Sequence, residues 1–137
     1  TPKPSSAASD VYKRQPHYYE IDINPLGTIF DAFFPRKGAG FSRFVKYSSA
    51  AEAATKIKGT LNNWRDIDTG WDIEIKIPFS AFSQTTDIPQ PNTVWYFAIC
   101  RYDYSVYLKR GVELTSSAKL RRADFHLYYD YDKLVFK

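Results

Sequence analysis

The sequence predicts an all-β protein, an antiparallel β-sandwich of immunoglobulin-like or jelly-roll-like type. Short apolar runs alternate with polar residues at a period of two, turn residues separate these runs, and hardly any stretch has helical periodicity. Aromatic residues make up 18% of the chain, and such side chains pack well on the pleated surface of strands. The 137 residues suffice for one domain with a single core.

The first two predicted strands form a hairpin. Tyr19, Ile21 and Ile23 alternate with polar residues, the pattern typical of a half-buried strand. Residues 24–27, Asn-Pro-Leu-Gly, have the composition of a turn, and residues 28–34, TIFDAFF, are predicted to form the returning strand.

A loop rich in glycine, serine and basic residues is predicted over residues 35–50, and a strand over residues 51–58. The clearest strand then follows an acidic turn, in NNWRDIDTGWDIEIKIP at residues 62–78. One face of that strand carries Trp71, Ile73, Ile75 and Ile77. Pro78 ends it, because proline lacks the N–H that a ladder needs.

The second half of the chain is less regular. Residues 79–82 are predicted to form one helical turn, and residues 93–102, TVWYFAICRY, a central strand covered on both faces because both are apolar. Residues 105–124 are predicted to be irregular. A turn over residues 130–132 and a last strand over residues 134–136 complete the expected sandwich.

The N-terminus has a different character. Residues 5–15, SSAASDVYKRQ, resemble the in-frame translation of a transposase adapter used to prepare sequencing libraries. We therefore treat residues 1–15 as a non-native, disordered segment and residues 16–137 as the domain. Because a strand-like pattern is already under way at His17, we expect the sandwich to lack its N-terminal strands.

Charge and cysteine content exclude several classes. Without residues 1–15 the formal net charge falls from +4 to +2, which is low for a nucleic-acid binder. No apolar run approaches the roughly 18 residues of a membrane span, so no membrane partner is expected. Cys100 is the single cysteine, so the chain has no internal disulfide.

Four segments, in this order, resemble the carbohydrate-binding module family 9-like domains, which are β-sandwiches related to the DOMON group. They are YYEIDIN at 18–24 with Leu-Gly-Thr at 26–28, GTLNNWRDIDTGWDIEIKIPFSAF at 59–82, WYFAICR at 95–101, and Phe-His at 125–126. Together they extend over most of residues 17–137.

The resemblance implies a non-catalytic domain that binds a polysaccharide or a glycan end. Such domains belong to larger exported bacterial proteins, including glycoside hydrolases, so it implies further domains and an extracellular or periplasmic location. It also implies that two tryptophans clamp the sugar and that calcium ions support the loops. Calcium is the one cofactor expected.

The candidate carbohydrate-binding residues are Trp64, Arg101, Tyr102 and Tyr104. Trp64 lies in a turn, where an exposed indole can stack on the apolar face of a sugar or can cap the edge of the sandwich. Trp71 and Trp95 follow the alternation of strands, which favours core packing.

Arg101 and its neighbours each have two interpretations. The guanidinium of Arg101 can bond a sugar diol, or it can form a structural ion pair with Asp103 or Glu113. Tyr102 and Tyr104 can form a stacking rim beside it, or can simply face solvent at the end of a strand.

Asp66 and Asp68 are weak candidates for a calcium site. The EF-hand pattern requires a glycine at the sixth position of the loop, whereas Gly70 is fifth when counted from Asp66. The simpler prediction is a turn in which the aspartates accept hydrogen bonds from nearby backbone amides and Gly70 adopts a conformation unfavourable for other residues.

No enzymatic site is expected. His17 and His126 have no serine or cysteine motif beside them, and Cys100 lies within an apolar run, which favours core packing. Glycoside hydrolysis needs two carboxylates on opposite sides of a cleft, and sequence alone does not place such a pair.

Two other functions remain open. One is a structural or interaction domain without a ligand. The weaker one is contact with nucleic acid through a set of scattered basic residues, although their short runs are more typical of a solvated face. That set comprises Arg36, Lys37, Arg43, Lys119, Arg121 and Arg122.

Overall fold

A computed structural model describes residues 17–36 and 46–137. The described chain contains eight strands and two short 3₁₀ turns. The strands are β1 (Tyr18–Ile23), β2 (Ile29–Phe34), β3 (Glu52–Lys58), β4 (Gly70–Lys76), β5 (Val94–Phe97), β6 (Cys100–Tyr104), β7 (Val112–Ser116) and β8 (Asp132–Val135). The 3₁₀ turns are Phe79–Phe82 and Tyr128–Asp130.

The strands pair in four antiparallel ladders. The first hairpin is β1–β2, and β3 pairs with β4, β6 with β7, and β5 with β8 near the C-terminus. This arrangement confirms the all-β prediction and is compatible with an antiparallel β-sandwich. Within the described ranges, no helix is long and apolar enough to cross a membrane. Residues 1–15, predicted to be non-native, and most of the predicted loop, residues 37–45, lie outside the described residues.

The turn between β1 and β2 has the predicted chemistry. The Asn24 side-chain oxygen accepts hydrogen bonds from the backbone N–H groups of Leu26 at 3.0 Å and Thr28 at 2.9 Å. Gly27 has a φ of 78°, in the left-handed region where a side chain would be strained. The turn sets a register that places Tyr18 opposite Phe34 and Ile23 opposite Ile29.

Both faces of this hairpin are packed. On one face Tyr19 contacts Phe33, Tyr47 and Phe82. The alternating residues Tyr19, Ile21 and Ile23 are half-buried, as the sequence predicts. The other face of β1 carries the buried Tyr18, the partly buried Glu20 and the exposed Asp22.

A core cluster joins the first hairpin to the C-terminal part of the chain. Its buried members are Tyr18, Ala32, Phe34 and Tyr128, with Phe30 and Tyr131 packed against them. The ring of Tyr18 stacks on Phe34 at 4.7 Å and on Tyr128 at 5.6 Å between centroids. The cluster holds the 3₁₀ turn Tyr128–Asp130 against β1.

The prediction of one central strand over residues 93–102 is wrong. Residues 98–99 separate β5 from β6, and the two strands pair with different partners. At this break Ile99 exchanges hydrogen bonds with Ser117, its N–H donating to the Ser117 hydroxyl and its carbonyl accepting the Ser117 N–H. Nor is the segment covered on both faces, since Val94, Tyr96 and Ile99 are exposed.

The prediction that residues 105–124 are irregular is wrong in part, because they include β7. The predicted helical turn over 79–82 and the strand over 51–58 are present. The last strand begins two residues earlier than predicted, at Asp132.

Trp95 packs as the sequence predicts, within a group of aromatic rings. Its ring contacts Phe82 at 4.8 Å, Phe136 at 4.9 Å and Phe79 at 6.1 Å between centroids. On β4, by contrast, Ile73 and Ile75 are each 42% exposed. The apolar face of β4 is therefore only partly covered by the described residues.

The segment before β3 is fastened to the first hairpin by one carboxylate. Ser49, which is 1% exposed, donates both its N–H and its hydroxyl to Asp31 Oδ2, at 2.6 and 2.7 Å. Hydrogen bonds to an ionised acceptor are stronger than neutral ones, and a buried donor without a partner is costly.

We expect Asp31→Ala to destabilise the protein by about 1.5–3 kcal/mol, because it leaves two buried donors of Ser49 without their acceptor. Ser49→Ala removes only one donor and should cost about 1 kcal/mol. Urea unfolding followed by fluorescence measures both. Equal stabilities for wild type and Asp31→Ala would contradict this role of the carboxylate.

Candidate functional site

Two tyrosines project from the same face of β6. Tyr102 is 55% and Tyr104 74% exposed, and because they are two residues apart on a strand they point the same way. Their rings are parallel within 8°, with centroids 6.1 Å apart. Phe125 packs its edge against Tyr102 at 4.9 Å, which fixes one side of the pair.

The turn that contains Trp64 reaches the loop after β6. Trp64 is 60% exposed, and the Arg65 guanidinium lies 5.1 Å from the centre of its ring. The Tyr107 hydroxyl donates to the Trp64 carbonyl at 3.2 Å. Since Tyr107 follows Tyr104 by three residues, this bond brings the Trp64 turn to the end of β6. We call the four exposed side chains Trp64, Tyr102, Tyr104 and Tyr107 the aromatic surface.

Arg101 does not join this surface. On β6 it alternates with the tyrosines and therefore points to the opposite face. Its guanidinium forms an ion pair with Asp103 at 2.6 Å, one of the two pairings that the sequence left open. Both side chains are well exposed, so the guanidinium is not a buried charge in need of a ligand.

The acidic turn uses its carboxylates locally. Asp68 Oδ1 accepts the Thr60 N–H at 2.8 Å, and Asp66 Oδ2 accepts the Thr60 hydroxyl at 2.6 Å. Gly70 has a φ of 127°, a conformation that side chains rarely adopt. Asp68 thus accepts a backbone amide as predicted, whereas Asp66 accepts a hydroxyl instead, and both bonds hold the loop that carries Trp64 against Thr60.

The described part of the acidic turn contains no cluster of acidic, histidine or cysteine side chains large enough to hold a metal ion. Among the described residues, no group of three or more His, Cys, Asp or Glu side chains could hold a metal ion. The candidates Asp66 and Asp68 contribute two carboxylates that already accept hydrogen bonds from Thr60.

Two carboxyl groups, those of the partly buried Glu20 and the exposed Asp22, share the face of β1 that carries Tyr18, and sequence reasoning missed this pair. Burial raises the pKa of both Glu20 and Asp22. The charge of Asp22 and a hydrogen bond between the two side chains also raise the pKa of Glu20, while the same hydrogen bond opposes the rise at Asp22. Glu20 is therefore the member of the pair that retains a proton more readily.

These carboxyl groups lie close enough to the aromatic surface to influence it. Burial raises the pKa of the Tyr102 hydroxyl, and the charges of Glu20 and Asp22 raise it further. The same two charges raise the pKa of the Cys100 thiol beyond the effect of burial. One face of β6 thus lies beside the acidic face of β1.

Cys100 behaves as a small, partly buried residue. Its Sγ lies 3.7 Å from the Ser116 hydroxyl, and burial raises the pKa of the thiol, which keeps it protonated at neutral pH. This environment is the opposite of the electropositive one that activates a cysteine nucleophile.

Comparison with known proteins yields no relative. No family model matches the chain, and neither a curated protein nor a solved structure matches it. The resemblance to carbohydrate-binding domains of family 9 therefore stays a prediction from the quoted residues.

The raised pKa values of Glu20 and Asp22 give a definite pH dependence. A carboxyl whose pKa is higher in the folded state binds more protons when folded, so its contribution to stability is lost as pH rises through that folded pKa. Glu20→Gln should stabilise the protein at pH 7 and flatten this decline between pH 4 and 7. Urea unfolding across that range measures the effect, with the exposed residue Glu113→Gln as the control. A steeper decline in Glu20→Gln than in wild type would contradict the assigned burial cost.

Proposed function

We propose that this chain is a non-catalytic carbohydrate-binding domain whose ligand lies on the aromatic surface. The observation that carries the proposal is that a turn, a strand and a loop, each with exposed aromatic side chains, lie next to one another, the turn and the loop being joined by the hydrogen bond from the Tyr107 hydroxyl to the Trp64 carbonyl. Sugar rings present apolar C–H faces that stack on aromatic rings, while their hydroxyls need polar partners. The hydroxyls of Tyr104 and Tyr107 are such partners.

The shape of the surface favours a chain over a small enclosed sugar. Tyr102, Tyr104 and Tyr107 project from consecutive parts of one strand and its loop, and all three are exposed. A row of exposed rings suits several residues of a polysaccharide or the end of a glycan, each making a weak contact. We place the domain, on the resemblance alone, in a larger exported bacterial protein outside the cytoplasm, with calcium as a structural ion.

A second candidate function is that of a ligand-free interaction domain. Its support is the partial exposure of apolar side chains such as Ile73 and Ile75 on β4, which is the usual mark of a contact surface when such residues are contiguous. Contact with nucleic acid has less support. Arg121 is paired with Asp130 and Arg122 with Asp124, so two of the basic residues are already neutralised.

We expect affinity electrophoresis in gels containing soluble xylan, mixed-linkage β-glucan or laminarin to retard the wild-type chain. Tyr102→Ala and Tyr104→Ala should each weaken binding about 5- to 30-fold, since a stacked ring contributes on the order of 1–2 kcal/mol. Trp64→Ala should weaken it by a similar factor. Arg101→Ala should have little effect, because its side chain lies on the other face of β6.

The matched control is Tyr96→Ala, which removes an exposed tyrosine from β5, outside the aromatic surface. If the double variant Tyr102→Ala/Tyr104→Ala is still retarded while Tyr96→Ala is not, the binding site lies outside the aromatic surface. If none of the three polysaccharides retards the wild type, the interaction-domain alternative is favoured. Salt-dependent retention on DNA would favour the nucleic-acid alternative.

A further inference from the structure

Strand β4 has one open edge. Among the described residues it pairs with β3 alone, in the register that places Lys58 opposite Gly70 and Glu52 opposite Lys76. Its other edge therefore presents backbone N–H and C=O groups that no described strand pairs. An open edge of this kind can accept one more strand, and a second protein chain can supply it.

The apolar face of β4 lacks cover as well. Ile73 and Ile75 lie on that face, and each remains 42% exposed although isoleucine side chains are usually buried. Their cross-strand partners on β3 are the smaller residues Thr55 and Ala53. A strand that pairs with the open edge would place its own side chains beside these isoleucines and cover them in part.

The polar face of β4 carries three charged residues, and one of them is unmatched. Asp72 pairs with Lys58 at 2.7 Å, and Lys76 lies 3.8 Å from Glu52. Glu74, between them on the same face, is exposed and has no ion-pair partner among the described residues. The strand that fits this edge best therefore has apolar side chains on one face and a cation opposite Glu74 on the other.

The β4 strand of a second copy of this chain meets both requirements, and we propose that the two open edges pair to form a symmetric dimer. Identical strands that pair antiparallel are related by a two-fold axis perpendicular to the sheet, so the apolar faces of both copies lie on the same side. The dimer then contains one continuous four-stranded sheet with β3 at each outer edge. Because only a few residues pair on each strand, the contact is small and the dimer is weak.

The charges select the register of this pairing. An axis beside a charged residue of β4 sets that residue against its own copy, and an axis at Ile73 sets Asp72 against Glu74 of the second copy. Like charges directly opposite each other destabilise a sheet. Only an axis at Ile75 places a cation, Lys76 of the second copy, opposite Glu74. By symmetry this contact forms twice, so both carboxylates gain the partner that the described part of their own chain does not supply.

A dimer of this geometry carries two aromatic surfaces. Trp64 lies in the turn that leads to Gly70, the first residue of β4. With the axis at Ile75, the two Gly70 residues lie on the order of 30 Å apart along the strand direction. Simultaneous binding of one polysaccharide by both surfaces rests on the proposed function, whereas the dimer itself does not.

The dimer can be tested on the full chain without any ligand. Sedimentation velocity at about 10, 100 and 500 µM protein should show a dimer fraction that increases with concentration, as expected for a contact smaller than a stable interface. Glu74→Lys and Lys76→Glu each turn two opposite-charge pairs into like-charge pairs and should weaken association about 10- to 30-fold. Both residues are exposed, so neither change should disturb the fold, and far-UV circular dichroism checks this.

A charge swap tests the register. The double variant Glu74→Lys/Lys76→Glu restores two opposite-charge pairs when the axis is at Ile75, and it should associate within about 3-fold of the wild type. An equimolar mixture of the two single variants should form heterodimers for the same reason. The matched controls are Glu113→Lys on β7 and Lys133→Glu on β8, which make the same changes of charge at exposed residues and should leave association unchanged.

Three results would overturn the dimer. They are a wild type that stays monomeric at the highest concentration, controls that weaken association as much as the β4 variants, and a double variant that associates no better than Glu74→Lys. Because no polysaccharide enters the experiment, failure of the dimer is distinct from failure of the carbohydrate proposal.

Discussion

The ring of Tyr18 packs between Phe34 on the neighbouring strand and Tyr128 in the C-terminal 3₁₀ turn, at 4.7 and 5.6 Å between centroids. The rest of the architecture depends on this contact because the strands form separate two-stranded ladders, and an isolated pair of strands is marginal in water. Tyr18 belongs to β1 and Tyr128 precedes β8, so the stack joins the first and last ladders of the described chain. The Tyr18 hydroxyl also forms a hydrogen bond with His126 Nδ1, which places residues 124–127 over β1.

The packing of Tyr18 also affects the carboxyl groups on the same face of β1 and the exposed ring of Tyr102. Because Glu20 shares the face of β1 that carries Tyr18, its carboxyl group is partly buried, and burial raises its pKa. The same packing brings Phe125 against Tyr102, so that an exposed ring on β6 is supported from beneath. Core packing, the acidic pair and the aromatic surface are therefore consequences of one arrangement of β1 against the C-terminal part of the chain.

The elements that the sequence predicted well are those with local signals. In β1 and β4 a two-residue period defines the strand, and in the hairpin turn Asn24 and Gly27 supply chemistry that depends on neighbouring residues only. The break between β5 and β6 had no such signal. Residues 93–102 are apolar on both faces, so nothing in their pattern shows where one strand ends and the next begins. It is set by hydrogen bonds of Ile99 with Ser117, which lies far along the chain.

The candidate site also contains some residues that local signals predict and others that they do not. Trp64, Tyr102 and Tyr104 could be predicted as exposed because they lie in a turn and at a strand end, and the structure leaves all three exposed. The roles of Tyr107, Glu20 and Asp22 could not be predicted, because they arise from contacts between segments that are distant in the sequence. Glu20 and Asp22 alternate with isoleucines, a pattern typical of a solvent-facing side. Asp22 is exposed as that pattern predicts, whereas Glu20, next to Tyr18 on the same face, is partly buried.

The dependence of the fold on the Tyr18 stack is measured most directly by a double-mutant cycle with Tyr18→Leu and Tyr128→Leu. Urea unfolding of the wild type, both single variants and the double variant isolates the coupling between the two rings. Stacked aromatic pairs typically couple by about 0.5–1.5 kcal/mol, and we expect a favourable value in that range here. Strictly additive losses of stability would show that the two ends of the described chain are held together by something other than this contact.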